Sequence, residues 1–309
     1  MKTISRRNLI KSAGVAATAA LIPQSVKAAQ KSANKTTFKY CLNTSTIRGQ
    51  NPGLLESIEI AARAGYDSIE LWVRDVQAYK SEGNALSDLR KYLIDSQISV
   101  ASAIGFAPWM VNDEQVRSKG FSQMESEMTM MAEIDCQRIA APAAGVNEPL
   151  NLFEVGSRYK QLLELGRKTG VMPQLEFWGA SAHFFHLGQA LMVAAVANDR
   201  DTRLLPVIYH LFRGGSGFDG LKLLGSNVIE VFHMNDFVPD ILRTEQKDKD
   251  RVYPGDGVAP MTQIIKDLSN LGGTITLSLE LFNETYWQQD AFQVAKTGIE
   301  KMKNVVALV

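Results

Sequence analysis

From residue 36 to the C-terminus one unit recurs: a short apolar run, then an amphipathic stretch of helical period. The runs are FKYCLN (38–43), DSIELW (67–72), ISVASAIG (98–105), QRIAAPAAG (137–145), MPQLEFWG (172–179), LLPVIYH (204–210), VIEVFH (228–233) and TITLSLELF (274–282). The stretches between and after them read as helices near 52–64, 84–96, 114–134, 151–169, 184–198, 218–225, 259–271 and 286–305. Pro52 at the head of the first helix, and Gly65, Gly170 and the Gly272-Gly273 pair after later ones, are the expected punctuation. Strands alternating with helices imply a parallel sheet.

Eight such units in about 270 residues match a closed (β/α)8 TIM barrel, a single α/β domain over 37–309. A doubly wound open sheet is the alternative. It lacks support at the first turn, where CLNTSTIRGQNPG (41–53) holds no G-x-G-x-x-G.

The first 30 residues follow a different plan: a basic start, a short apolar run and small residues. Residues 1–28 read as a signal peptide ending at Val26-Lys27-Ala28, with 29–36 as a linker. Arg6 and Arg7 in SRRNLIK resemble a twin-arginine export signal. That implies a periplasmic or otherwise exported protein, handled by the export machinery during transport. The apolar run is too short to span a bilayer, so stable membrane insertion after cleavage is not expected. Lys plus Arg and Asp plus Glu both number 33, which gives no basic excess for a nucleic acid. Two cysteines, Cys41 and Cys136, exclude a disulfide scaffold or a cysteine-rich metal cluster. A pairing between them and homo-oligomerisation both stay open.

In a barrel of this class the reacting groups sit at the C-terminal ends of the strands. Strands five to eight end in Glu176, His210, His233 and Glu280. A carboxylate between apolar neighbours, as in LSLELF, must be paired, protonated or metal-bound. Two carboxylates converging with two imidazoles form a mixed oxygen and nitrogen set suited to Mn2+, Co2+, Zn2+ or Mg2+. Glu70 and Trp72 end strand two, Trp109 follows strand three, Trp178 follows Glu176, and Asp236 follows His233. Aromatic faces with carboxylates suit a small-molecule carbohydrate.

The motifs AARAGYDSIELW, LEFWG, YHLFRGG, VFHMNDF, RVYPGDG and LSLELFN resemble the xylose isomerase-like barrel superfamily, in its sugar isomerase and epimerase group, over about 37–305. The resemblance implies a divalent metal held by Glu176, a strand-six aspartate, His233 and Glu280. It also implies a histidine at 210 that touches substrate, and a substrate-contacting arginine matched loosely by Arg243. The strand-six aspartate is replaced: Val207 stands three residues before His210. His210 is then the strand-six side chain placed to reach a metal, with its second ring nitrogen held by a carbonyl or carboxylate. The implied chemistry is proton transfer through an enediolate on a ketose or keto-sugar, with Glu176 and Glu280 as the acid and base. The rival readings are a lyase or dehydratase acting on an oxidised sugar or inositol, a non-catalytic sugar-binding barrel, and a metal-dependent phosphodiesterase, which the four histidines of the chain disfavour.

Overall fold

The computed structural model describes residues 35–225 and 227–309. The signal peptide expected over 1–28 lies outside the described residues. Seven parallel strands make one curled sheet in the order β5-β4-β3-β2-β1-β7-β6. They are β1 (Thr37–Asn43), β2 (Ser68–Trp72), β3 (Ser99–Ile104), β4 (Arg138–Ala141), β5 (Met172–Leu175), β6 (Val231–Met234) and β7 (Thr274–Leu279). The helices are α1 (Gly53–Ala64), α2 (Val73–Ser81), α3 (Leu86–Asp95), α4 (Glu114–Ala132), α5 (Leu152–Thr169), α6 (Leu187–Ala197), α7 (Ile208–Arg213), α8 (Met261–Ser269) and α9 (Ala291–Val306).

The sixth of the eight units differs from its expected form. Residues 204–207 bridge the two sheet edges without forming a full strand. Leu204 pairs with Leu175 on one side and Ile229 on the other, and Val207 pairs with His233. The physical reason lies in the prolines. Pro206 in the bridge and Pro173 in β5 each lack a donor N–H, so the ladder is thinned on both sides of this seam. The remaining bonds still close it: Leu205 N donates to Leu175 O at 2.9 Å, and His233 N donates to Pro206 O at 3.0 Å.

Central strands buried on both faces read as near-continuous apolar runs, and β2, SIELW, is buried throughout. One contiguous hydrophobic cluster joins the strands to the inner faces of the helices, from Leu42 and Ile69 to Leu279 and Ile299. Helices end where the sequence provides left-handed residues. Gly65 (φ 92°) closes α1 and Gly170 (φ 79°) closes α5. Cys41 and Cys136 are both buried and unpaired. No helix among the described residues is long and apolar enough to cross a membrane.

Candidate active site

The site is built on a polar floor inside the barrel. The β1–β2 register sets Asn43 beside Glu70, and the β6–β7 register sets His233 beside Ser278. Glu70 Oε2 therefore accepts from Asn43 Nδ2 and from Ser278 Oγ, both at 2.8 Å. It also lies 2.8 Å from His233 Nε2. The other imidazole nitrogen, Nδ1, lies 3.1 Å from Glu280 Oε2. That same oxygen accepts from Arg251 Nη1 at 2.7 Å. Arg251 also pairs with Asp248 and lies over the Tyr209 ring, 4.3 Å from its centroid. Burial alone would lower the pKa of His233, but Glu280 and Glu70 on its two sides hold it well above the ordinary value. Burial alone would raise the pKa of Glu280, and His233 and Arg251 outweigh it and hold the carboxyl far down.

The facing wall behaves in the opposite way. Glu176 follows β5 and is 6% exposed. Among the described residues no arginine or lysine pairs with it, and the nearest ionisable nitrogen is His210 Nε2 at 3.8 Å. Burial, and then the nearby charge of Glu280, push its pKa up to about 8. Burial, and then the Arg251 charge, hold the pKa of His210 well below 6.5. His210 is thus a neutral imidazole. Its Nδ1 is buried without a partner, so the expected carbonyl or carboxylate on a second ring nitrogen is not there.

His210 does not end a strand. The pairing stops at Val207, which sits at the start of α7, and His210 lies one turn in. Tyr209 N donates to Asn235 Oδ1 at 2.8 Å and so satisfies one of the amides that a helix start leaves open. It is this helical turn, rather than strand alternation, that presents His210.

Glu176, His210, Arg251 and Glu280 share a cavity of about 570 Å3 with Trp72, Phe106, Trp178 and Phe282. The aromatics form a connected mouth. The Phe106 ring lies 5.1 Å from Trp72 and 6.1 Å from Trp178, and Phe282 lies 6.3 Å from Trp72. Four polar groups beneath an aromatic rim make a pocket for a small polyhydroxylated ring with an apolar face.

Three residues expected near the site lie elsewhere. Trp109 is fully buried, and its indole N–H donates to Pro142 O at 3.1 Å. Asp236 is fully buried and accepts from the backbone N–H groups of Phe237, Gly255 and Ala259, which places it under the 253–259 turn. Arg243 is exposed and donates to Arg213 O at 2.6 Å. The arginine of the cavity is Arg251, at the head of the RVYPGDG stretch. Asn43, Phe106 and Phe282 also belong to the site without having been singled out from the sequence.

The divalent metal expected of Glu176, His210, His233 and Glu280 has no matching donor set. Among the described residues no group of three or more His, Cys, Asp or Glu side chains is disposed to hold a metal ion. Both nitrogens of His233 face carboxylates, Glu280 Oε2 is committed to Arg251, and Val207 supplies no donor.

Comparison with known proteins agrees with this architecture. Residues 58–305 match the family model described as xylose isomerase-like TIM barrel. The inosose isomerase of Bacillus velezensis is 24% identical over 277 residues, which cover 87% of this chain and 98% of that protein. That of Bacillus subtilis is 22% identical with the same coverage. Among solved structures, that of IOLI protein with a bound zinc atom superposes with a TM-score of 0.79 at 22% identity, over 87% of this chain and 98% of the other. D-Psicose 3-epimerase in the presence of D-fructose superposes with a TM-score of 0.69 at 14% identity, over 87% and 99%. The chain belongs to the xylose isomerase-like TIM barrel family.

Proposed function

We propose that this protein is an isomerase of a polyhydroxylated ketone, an inosose or a ketose, and that Glu176 carries the proton. The observation behind this reading is the contrast between two carboxylates lining one cavity. Glu280 is clamped by Arg251 and His233, whereas Glu176 has no counter-ion and stands beside a neutral imidazole. Groups whose environments push their pKa values apart take different roles. A proton carrier works best with a pKa near the working pH, which is the condition of Glu176.

The substrate ring lies under the aromatic rim with its carbonyl toward His210 and Arg251. Ionised Glu176 removes the proton from the carbon next to the carbonyl. The resulting enediolate oxygen faces the guanidinium, and the neutral imidazole donates to or accepts from the adjacent oxygen. His210 passes the hydroxyl proton of the adjacent oxygen to the former carbonyl oxygen, Glu176 returns its proton to the former carbonyl carbon, and the carbonyl has moved by one position. One carrier serving one face fits an isomerase better than an epimerase, which needs groups on both faces. The similarity to inosose isomerases supports the same substrate class. The Mn2+, Co2+, Zn2+ or Mg2+ expected from the family resemblance takes no part in these steps: two of the donors it would need, His233 and Glu280, lie against each other and against Arg251.

The test is a panel of inososes and ketoses incubated with the protein in deuterated water and followed by NMR. Deuterium should enter at the carbon next to the carbonyl, together with a shifted carbonyl, and both should disappear in Glu176→Gln. Substrate turnover without exchange would sink the reading, and loss of water from the substrate would assign the site to a dehydratase instead.

We also read SRRNLIK as a signal for export in the folded state. Replacing Arg6 and Arg7 with lysine should hold the precursor in the cytoplasm, and normal export of that variant would remove the reading.

A further inference from the structure

The buried charge of the site is organised around Arg251. Its side chain is 2% exposed, yet it projects from a loop and not from the sheet. Four contacts hold it: Glu280 at 2.7 Å, Asp248, the Tyr209 ring at 4.3 Å and the Phe282 ring at 5.0 Å. Its neighbour in sequence, Val252, pairs with Asp236 in both directions, at 2.9 and 3.1 Å, so the loop cannot drift. The buried Nε of Arg251 still lacks a partner.

The other side of Glu280 is equally committed. His233 has a carboxylate oxygen within 3.1 Å of each ring nitrogen, Glu280 on Nδ1 and Glu70 on Nε2. Neither contact has hydrogen-bond geometry, but a carboxylate oxygen stands at close range to each ring nitrogen, and a metal ion bound there would have to displace it. Across the seam from His233 stands Val207, 0% exposed, which adds neither an oxygen nor a negative charge.

We propose that this site works without a bound divalent metal, and that the Arg251 guanidinium, braced by Glu280, is the fixed cation that faces the negative charge developing on the substrate oxygen. The proposal takes its substrate from the isomerase reading, but its statement about metal stands independently. The charges support it. Arg251 lies 2.7 Å from Glu280, and His233 is wedged between Glu280 and Glu70, so these side chains already occupy one another at close range. A divalent ion brought to Glu280 would break the 2.7 Å contact and leave a buried guanidinium beside a dication. A guanidinium keeps its proton at any working pH and presents several donors in one plane. It can therefore donate to neighbouring oxygens of a hydroxy-ketone without any ligand exchange. The step balances: one proton leaves carbon for Glu176 and returns to the former carbonyl carbon, the hydroxyl proton passes by way of His210 from the adjacent oxygen to the former carbonyl oxygen, and the electron pair rests on the oxygen facing Arg251 in between. Nothing is oxidised or consumed.

The test begins without substrate. Full-length protein is dialysed to equilibrium against low micromolar Zn2+ and, separately, Mn2+, and its metal content is measured. The parent should take up no stoichiometric metal. Uptake of one equivalent that Glu280→Gln abolishes would overturn the proposal, whatever the substrate proves to be. With an active substrate in hand, prior treatment with EDTA should leave kcat/KM unchanged. Arg251→Ala should lower it about 10^2-fold or more, with partial recovery on adding guanidinium ion and none on adding Zn2+ or Mn2+. Arg251→Lys, which keeps a buried charge, covers the case in which the alanine variant does not fold and should retain part of the activity. Recovery of either variant by metal would also overturn the proposal.

Discussion

The two walls of the cavity hold similar groups in opposite states. On the β1, β2, β6 and β7 side each carboxylate is tied: Glu70 to Asn43, Ser278 and His233, and Glu280 to His233 and Arg251. On the seam side Glu176 has no cationic partner except a neutral imidazole 3.8 Å away. In the tied wall β1, β2 and β7 are paired on both sides and β6 is paired along its length with β7, whereas β5 and β6 both border the proline-thinned bridge at 204–207. The difference teaches a division of labour. Continuous pairing fixes registers closely enough to assemble a buried ion network. Beside the gap in the pairing one carboxylate, Glu176, is left under-compensated, and it is the one proposed to carry the proton.

The strongest way to break this contrast is Glu176→Gln. The loss of an acid–base group should cost about 10^2–10^4 in kcat. It should also stabilise the protein. A carboxyl with a raised pKa contributes stability that is present below its unfolded value of roughly 4.3 and is lost as pH rises through the folded value of about 8. The variant should therefore gain more in melting temperature over the parent at pH 9 than at pH 5. The parent's kcat/KM should rise with pH and level off above about 8, because the ionised form accepts the proton. A melting-temperature gain that does not depend on pH would show that the two walls are alike.

Next comes His233→Leu. It leaves Glu70 and Glu280 facing each other across a buried gap, and removal of one partner from a buried ion network costs about 3–5 kcal/mol. Urea unfolding should show that loss, and a cost below about 1 kcal/mol would mean that the network contributes little to the fold. The smallest effect belongs to Arg243→Ala. Its exposed guanidinium meets only a backbone carbonyl, so stability should change by less than about 0.5 kcal/mol and kcat/KM should not change. A tenfold fall in kcat/KM would return Arg243 to the site.

What the sequence discloses follows the same division. LSLELF and VFHM report Glu280 and His233 because their strands alternate without interruption. VIYHLF does not disclose its state, since a short apolar run reads equally as a strand or a buried helix. Only the closing geometry at Pro206 makes it α7. Arg251 is hidden by a loop of irregular length: counting from His233 reaches Arg243 first, while the cavity arginine follows Asp248 and precedes Val252. Trp109 and Trp178 look equivalent in sequence, and only packing sends one into the core, 5.9 Å from Tyr159, and the other to the cavity. The metal expectation rested on four strand-end residues converging on one point. In the structure Glu280 meets His233 and Arg251, and Glu176 stands 3.8 Å from His210.

The pairing of Asp236 with Val252 carries a consequence for how such a site can change over time. Residues 236 and 252 are clasped to each other, and the Asp236 carboxylate also grips the turn beyond, at Gly255 and Ala259. The segment between them thus leaves and rejoins the barrel at one fixed knot. Gln246 is itself buried and accepts from Tyr209 and Arg213, so changes in length confined to the exposed residues 242–245 should leave the knot in place and Arg251 aimed at Glu280. The placement of the buried cation is thereby made independent of the length of the excursion that precedes it.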